Sequence, residues 1–297
     1  MKKISILLAF FAILIIGCDE IVPPIDLQIT YTGRRVLVEE FTGVRCVNCP
    51  EGSKKIEEIV AQHGEYIIPI SIHSGFFSEP YDTSLYDFRT WEGTNLDAHL
   101  GPVQGYPAAT VNRTQYANET ELPISLSKWA GYIIQDILQA PKVEVDISPT
   151  YDTTSRQLSV DIDLEFAETI TEALAVSVMV TEDNVDDVQL TKDGKKYDYT
   201  HKHILRTMLT NYTGDAISVT KTKEGSTPSF TYTFTLPVGW NADNCEIVAF
   251  VSHTGSRLDV LQANKVHLKW LRFGLRVASF FSLWRDSTCI FSGQIFI

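Results

Sequence analysis

The chain has 297 residues and is acidic, with 37 Asp and Glu against 25 Lys and Arg and a formal net charge of −12. An acidic chain without a basic stripe excludes nucleic acid as partner. Five cysteines are too sparse for a disulfide-stapled miniature fold, while the length suffices for two ordinary domains.

Met1-Lys2-Lys3 is a short basic start, followed by an almost unbroken apolar run from Ile4 to Ile16. That run is shorter than the roughly 20 residues a bilayer span needs, and it fits the apolar core of a secretory signal peptide. It ends in Ile15-Ile16-Gly17-Cys18, which resembles the lipobox of bacterial lipoproteins. The resemblance implies removal of residues 1–17 and acylation of Cys18, which becomes the new N-terminus. Lipid chains there would hold the protein on a membrane, each buried methylene contributing about 0.8 kcal/mol. The competing readings are an ordinary signal peptide with an incidental cysteine and an uncleaved anchor. Loss of Lys2 and Lys3 takes the net charge from −12 to −14. Asp19-Glu20 partly resembles the surface-export signal of Bacteroidetes lipoproteins and points to the outer membrane. Residues 18–30, with Pro23 and Pro24, read as an extended lipidated tether.

The first domain is expected over residues 31–140. Val36 to Phe41 is a β-type run, closed by Thr42-Gly43. Cys46-Val47-Asn48-Cys49-Pro50 comes next, then a helical stripe of Ile56, Ile59 and Val60 that ends at Gly64, then an apolar run from Tyr66 to Ile72. Strand, Cys-X-X-Cys at a helix start, helix, strand is the order of a thioredoxin-like unit. A helix N-terminus stabilises a thiolate, so Cys46 is the candidate nucleophile and Cys49 the resolving thiol. Arg45 beside it is expected to favour the thiolate further. The motif resembles that of thioredoxins, and the resemblance implies two more site residues. Glu40 stands where those proteins carry a buried acid that handles the second cysteine's proton. Gly105-Tyr106-Pro107 stands where a cis-proline loop packs on the disulfide and contacts extended substrates, which makes a cis Pro107 the expectation. A helix over 124–140 should cover the sheet. The long stretch before Pro107 is rich in aromatics, Phe76, Phe77, Tyr81, Tyr86, Phe88 and Trp91 among them; it would roof the cysteines or offer a binding surface. The same pair also reads as a static structural disulfide. A closed zinc site needs four ligands, and His63 and His73 stand at no recognised spacing, so neither metal nor other cofactor is expected.

From Pro141 the pattern changes to period two. Lys142–Ser148, Gln157–Phe166, Ala173–Thr181, Phe230–Leu236 and Glu246–Ser252 alternate like strands. They predict an immunoglobulin-like antiparallel β-sandwich over 141–268, with Val143, Val145, Ile147, Leu158, Val160, Ile162 and Leu164 inside. The run Glu182 to Asp187 lacks the register of a calcium loop and reads as a solvated inter-strand loop. His201 and His203 read as packing or surface hydrogen-bonding groups.

Val38-Glu39-Glu40-Phe41-Thr42-Gly43, the Cys46–Pro50 motif, Gly105-Tyr106-Pro107 and His203-Ile204-Leu205-Arg206 together resemble the twenty-eight-kilodalton outer-membrane protein family of Bacteroidetes. The resemblance covers roughly residues 30–266. It implies an envelope lipoprotein, periplasmic or surface-exposed, whose partners are the membrane through Cys18 and other envelope proteins or extended peptides. Residues 269–297 do not fit it: Lys269, Arg272, Arg276 and Arg285 against Asp286 give +3, leaving −15 for the remainder. This basic, apolar tail reads as an extension outside the fold, with a membrane-surface segment as its other reading. Two functions follow: a binding or envelope-assembly lipoprotein with a structural or weakly active Cys46–Cys49 bridge, or an envelope thiol–disulfide oxidoreductase.

Overall fold

The computed structural model describes residues 29–269; the signal peptide, Cys18, most of the tether and the tail from residue 270 lie outside them. Among the described residues no helix is long and apolar enough to cross a membrane.

Strand β1 (Val36–Thr42) and strand β2 (Ile67–His73) are buried along their whole lengths and pair in parallel. Parallel neighbours need a crossover, and helix α1 (Cys49–His63) supplies it. Its Ile56 and Ile59 are buried while Lys54 and Glu58 form an exposed pair one turn apart. Helix α2 (Trp91–Leu100), capped by the Thr90 hydroxyl accepting from the Gly93 N–H, lies within the long aromatic stretch. Strand β3 (Ala108–Val111) runs antiparallel to β1. The helix predicted over 124–140 is shorter. Ile124–Ser125 forms a short strand, β4, against Ala108 and Ala109, and helix α3 begins only at Trp129 and ends at Ile137. Pairing with β3 takes Ile124 and Ser125 into the sheet, and the Trp129 indole donates back to the Ile124 carbonyl at 3.0 Å.

The second region is an antiparallel sandwich. One sheet has β5 (Val143–Tyr151), β6 (Gln157–Phe166) and β12 (Ser229–Thr235) in the order β12-β6-β5. Val143, Val145, Ile147, Leu158, Val160, Ile162 and Leu164 are all buried in its core, each contributing roughly 1.5–3 kcal/mol. They meet Val176, Val178 and Val180 of β7 (Leu174–Glu182) and Ile247, Ala249 and Val251 of β13 (Cys245–His253). Beside these run β14 (Val260–His267) on β13 and β11 (Asp215–Ile217) on β7.

Strand β10 (Ile204–Met208) joins the two regions. It pairs antiparallel with β7 and, through Ile204 opposite Ser71, parallel with β2. The sheet therefore runs β14-β13-β7-β10-β2-β1-β3-β4. Its second face carries Met179, Leu205, Val248 and Phe250 against Leu96 and Leu100 of α2. Two lacings tie β1 and its flanks to the far strands. The Arg34 guanidinium donates to the carbonyls of Val260 and Leu261 at 2.7 and 2.9 Å, and Gln262 binds both Gly33 O and the Arg35 N–H. Buried Arg113 forks onto Glu39 at 2.6 and 2.8 Å and lies over the Phe250 ring.

The run Glu182–Asp187 is not a solvated loop. β7 continues through Glu182, Asn184 turns at φ +56°, and β8 (Val185–Thr191) starts at once, forming a hairpin with β9 (Gly194–His201). Asp187 is buried because its carboxylate accepts the backbone N–H groups of Leu85 and Tyr86, riveting the hairpin to the aromatic stretch.

Candidate functional site

Cys46 and Cys49 are joined in a disulfide, with Cα atoms 5.3 Å apart, where the loop after β1 turns into α1. Both residues are buried, 3% and 1% exposed, so the candidate nucleophile Cys46 is covered. Two segments clamp the loop. From the aromatic stretch, the Phe77 carbonyl accepts the Arg45 N–H at 2.9 Å and leaves no room for a Cβ at Gly43, which would stand 2.3 Å from that oxygen. From the β8–β9 hairpin, Gln189 Nε2 donates to the carbonyls of Cys46 and Gly43, and Lys192 pairs with Glu51. The Arg45 guanidinium is engaged by Glu79, the Pro80 carbonyl and the Tyr81 ring.

Glu40, fully buried on β1, lies beneath α1. Burial raises its carboxyl from 4.5 to about 8, against the opposing effects of His203 and the Ser71 hydroxyl. Its Oε1 has no hydrogen-bond partner. The Tyr106–Pro107 bond is cis. Glu40, Pro107 and the helix meet at Gly52, where a Cβ would fall 2.4 Å from Glu40 Oε1 and 2.8 Å from Pro107 Cβ. Gly52→Ala is therefore expected to lower stability by roughly 1–3 kcal/mol, read as a drop in the denaturant midpoint; an unchanged midpoint would show that α1 can stand away from β1.

A cavity of about 260 Å3 opens between α1 and the hairpin, lined by Glu40, Cys49, Ser53, His73, Tyr199 and His201 among others. Burial, and then the neighbouring His201, hold His73 well below its ordinary value, and burial pushes His201 down to about 4. Both rings are thus neutral at physiological pH and pack with Phe88 at 5.0 and 4.8 Å between centroids. At the rim, burial opposes the charge on His203, yet the carboxylates of Asp183 and Glu57 raise it to about 9. The arrangement offers a protonated carboxylic acid and two neutral imidazoles around an apolar-walled space beside a disulfide. It can exchange protons and seat a small polar group.

The structure brings Cys46, Cys49, Glu40 and Pro107 together; Cys18 lies outside the described residues. Reading the sequence missed Gly52, Gln189 and the pairing of His73 with His201. Gly52 carried a signal, a glycine within the predicted helix three residues after Cys49, whereas Gln189 and His201 come from a hairpin far along the chain.

The outer membrane protein Omp28 family model matches residues 98–270, more than half of the chain. The chain belongs to the Omp28 family. Its place is thus the outer membrane and cell envelope, and the match spans cis-Pro107 and the sandwich while leaving Cys46 and Cys49 outside it. Among solved structures, HBP35 of Porphyromonas gingivalis is 21% identical, with a TM-score of 0.62 over 80% of this chain and 76% of that one. A structural-genomics target from Agrobacterium tumefaciens is 15% identical, with a TM-score of 0.51 over 82% of this chain and 98% of that one. At such identities both likenesses establish the Omp28 chain's fold alone. No curated protein matches the sequence.

Proposed function

We propose that this Omp28-family chain is a lipoprotein anchored through Cys18 that serves in binding or envelope assembly, with Cys46–Cys49 as a structural bridge. The observation that carries this reading is the burial of both cysteines beneath Gln189 and the Phe77 segment. A thiolate must reach a partner disulfide to exchange with it, and the clamp denies that approach. The bridge then fixes the loop on which the hairpin rests, and the cavity beside it is the place for a small ligand or an extended segment of another envelope protein.

A second reading, a thiol–disulfide oxidoreductase, is favoured by one specific feature: Glu40, a buried acid that titrates near neutrality beside Gly52 and Pro107. In that case Cys46 attacks, Cys49 resolves, Glu40 handles the proton and Pro107 shapes the groove. A disulfide-reduction assay on the folded protein separates the two. The binding reading expects no turnover above that of Cys46→Ser; turnover that Cys46→Ser abolishes would overturn it in favour of the enzyme.

A further inference from the structure

The sheet brings four strand ends to one edge, beyond the cavity. β7 ends at Glu182, facing Ile204 at the start of β10 and Cys245 at the start of β13, and Glu246 faces His267 at the end of β14. Asp183 and His203, just outside β7 and β10, and Glu246, one residue into β13, are placed so that one ligand atom of each lies within 4.8 Å of the other two. His203 adopts φ +55° there, a conformation rare outside glycine and one that holds only where surroundings impose it.

The side chains are oriented from outside. His203 Nε2 is bound by Glu57 Oε1 of α1 at 3.1 Å. Its Nδ1, in a ring nine-tenths buried, lies 3.1 Å from Asp183 Oδ1, the oxygen that also accepts the His203 backbone N–H, and it has no other partner. Glu246 divides its oxygens: Oε2 takes the Lys265 ammonium at 2.9 Å, and Oε1 stands 3.6 Å from the exposed His267 Nε2. A histidine fixed through one nitrogen by a carboxylate, with the other turned toward two acids, is the outer-shell pattern of metal-bound histidine.

We propose that Asp183, His203 and Glu246 form a binding site for a divalent first-row transition ion of the zinc type. An imidazole with two carboxylates suits such an ion better than calcium or magnesium, which take oxygen alone. Three protein ligands leave a further position, and His267 Nε2 stands beside it, 3.6 Å from Glu246 Oε1. The ion binds Nδ1 of the ring, whose other nitrogen Glu57 holds. Lys265 remains on the outer oxygen of Glu246, and the lysine and the ion share the acidic charge of the edge. The site pins β7, β10 and β13 to one another and, through Glu57, to α1 at the cavity rim.

The test is calorimetric titration of the folded full chain with zinc chloride, alongside Asp183→Asn and Glu246→Gln, with circular dichroism to establish that each variant folds. One equivalent should bind, with affinity reduced at least tenfold in each variant and thermal stabilisation by zinc lost with it. Cobalt(II) as a spectroscopic probe should show visible bands of a low-coordinate nitrogen and oxygen site in the parent chain and not in the variants. Absence of saturable binding, or binding that both folded variants retain, would overturn the proposal. In the first case a protonated His203 clamped between carboxylates accounts for the cluster, and in the second the ion sits elsewhere, with the neutral pair His73 and His201 the next place to look.

Discussion

Replacing Glu40 with glutamine is expected to stabilise the folded protein at pH 8 by about 4 kcal/mol and to leave it unchanged near pH 4. Burial lifts the Glu40 carboxyl from 4.5 to about 8 in the folded state. Below the lower value the carboxyl is protonated whether the chain is folded or not, and stability is at its full value. Between the two values the unfolded chain releases the proton while the folded chain retains it, so stability falls as pH rises. Above about 8 the loss is complete. Glutamine keeps the shape and removes the titration, so the variant's profile should flatten over this window while other groups cancel. Denaturant titrations from pH 4 to 8.5 on both proteins measure the difference. Parallel profiles would show that Glu40 has access to water, and with it that the space under α1 is wet.

A second large effect is expected at Arg113. Its guanidinium is 2% exposed and forks onto Glu39, which is 0% exposed and also accepts the Thr110 hydroxyl at 2.8 Å. Arg113→Met leaves a carboxylate without a counter-charge in the interior, which costs about 3–5 kcal/mol. The double variant Glu39→Leu with Arg113→Met should recover most of that, since apolar replacement of a whole buried pair is close to neutral. Unfolding free energies of the two single variants and the double one form the measurement. A double variant as unstable as Arg113→Met would assign the loss to packing of the guanidinium over Phe250 rather than to the stranded charge.

Strands show in the sequence in two ways, as unbroken apolar runs where both faces are buried, as in β1 and β2, and as alternation where one face meets water. β5 and β6 alternate buried and exposed residues, so their period shows in the sequence. β9 does not, because Gly194 to Asp198 is exposed on both sides; its signal is the Asp193-Gly194 turn, which alternation alone passes over. β10 is short, and its link to β2 rests on Ile204 beside Ser71, a pairing that no local pattern encodes. The candidate site divides the same way. Cys46, Cys49, Glu40 and Pro107 lie on one unit whose order of elements is fixed by chain chemistry. Gln189, which covers the cysteines from one side, and His201 of the cavity come from a hairpin more than a hundred positions after Cys49, and only the folded sheet brings them near. That distance is why the sequence does not show the hairpin's share of the cover over Cys46.

The lacing of Arg34 and Gln262 has a mechanical consequence. Residues 33–35 are fastened to β14 before β1 begins, through the carbonyls of Val260 and Leu261 and both ends of the Gln262 amide. Tension arriving along the chain from its N-terminal side therefore meets bonds to the far edge of the sheet first. β1 lies between β2 and β3, so drawing it out along its axis shears two ladders together instead of opening one bond at a time. A protein held at one end and tugged at its surface would bear load as one plate, with the disulfide just past the end of the strand that takes the pull.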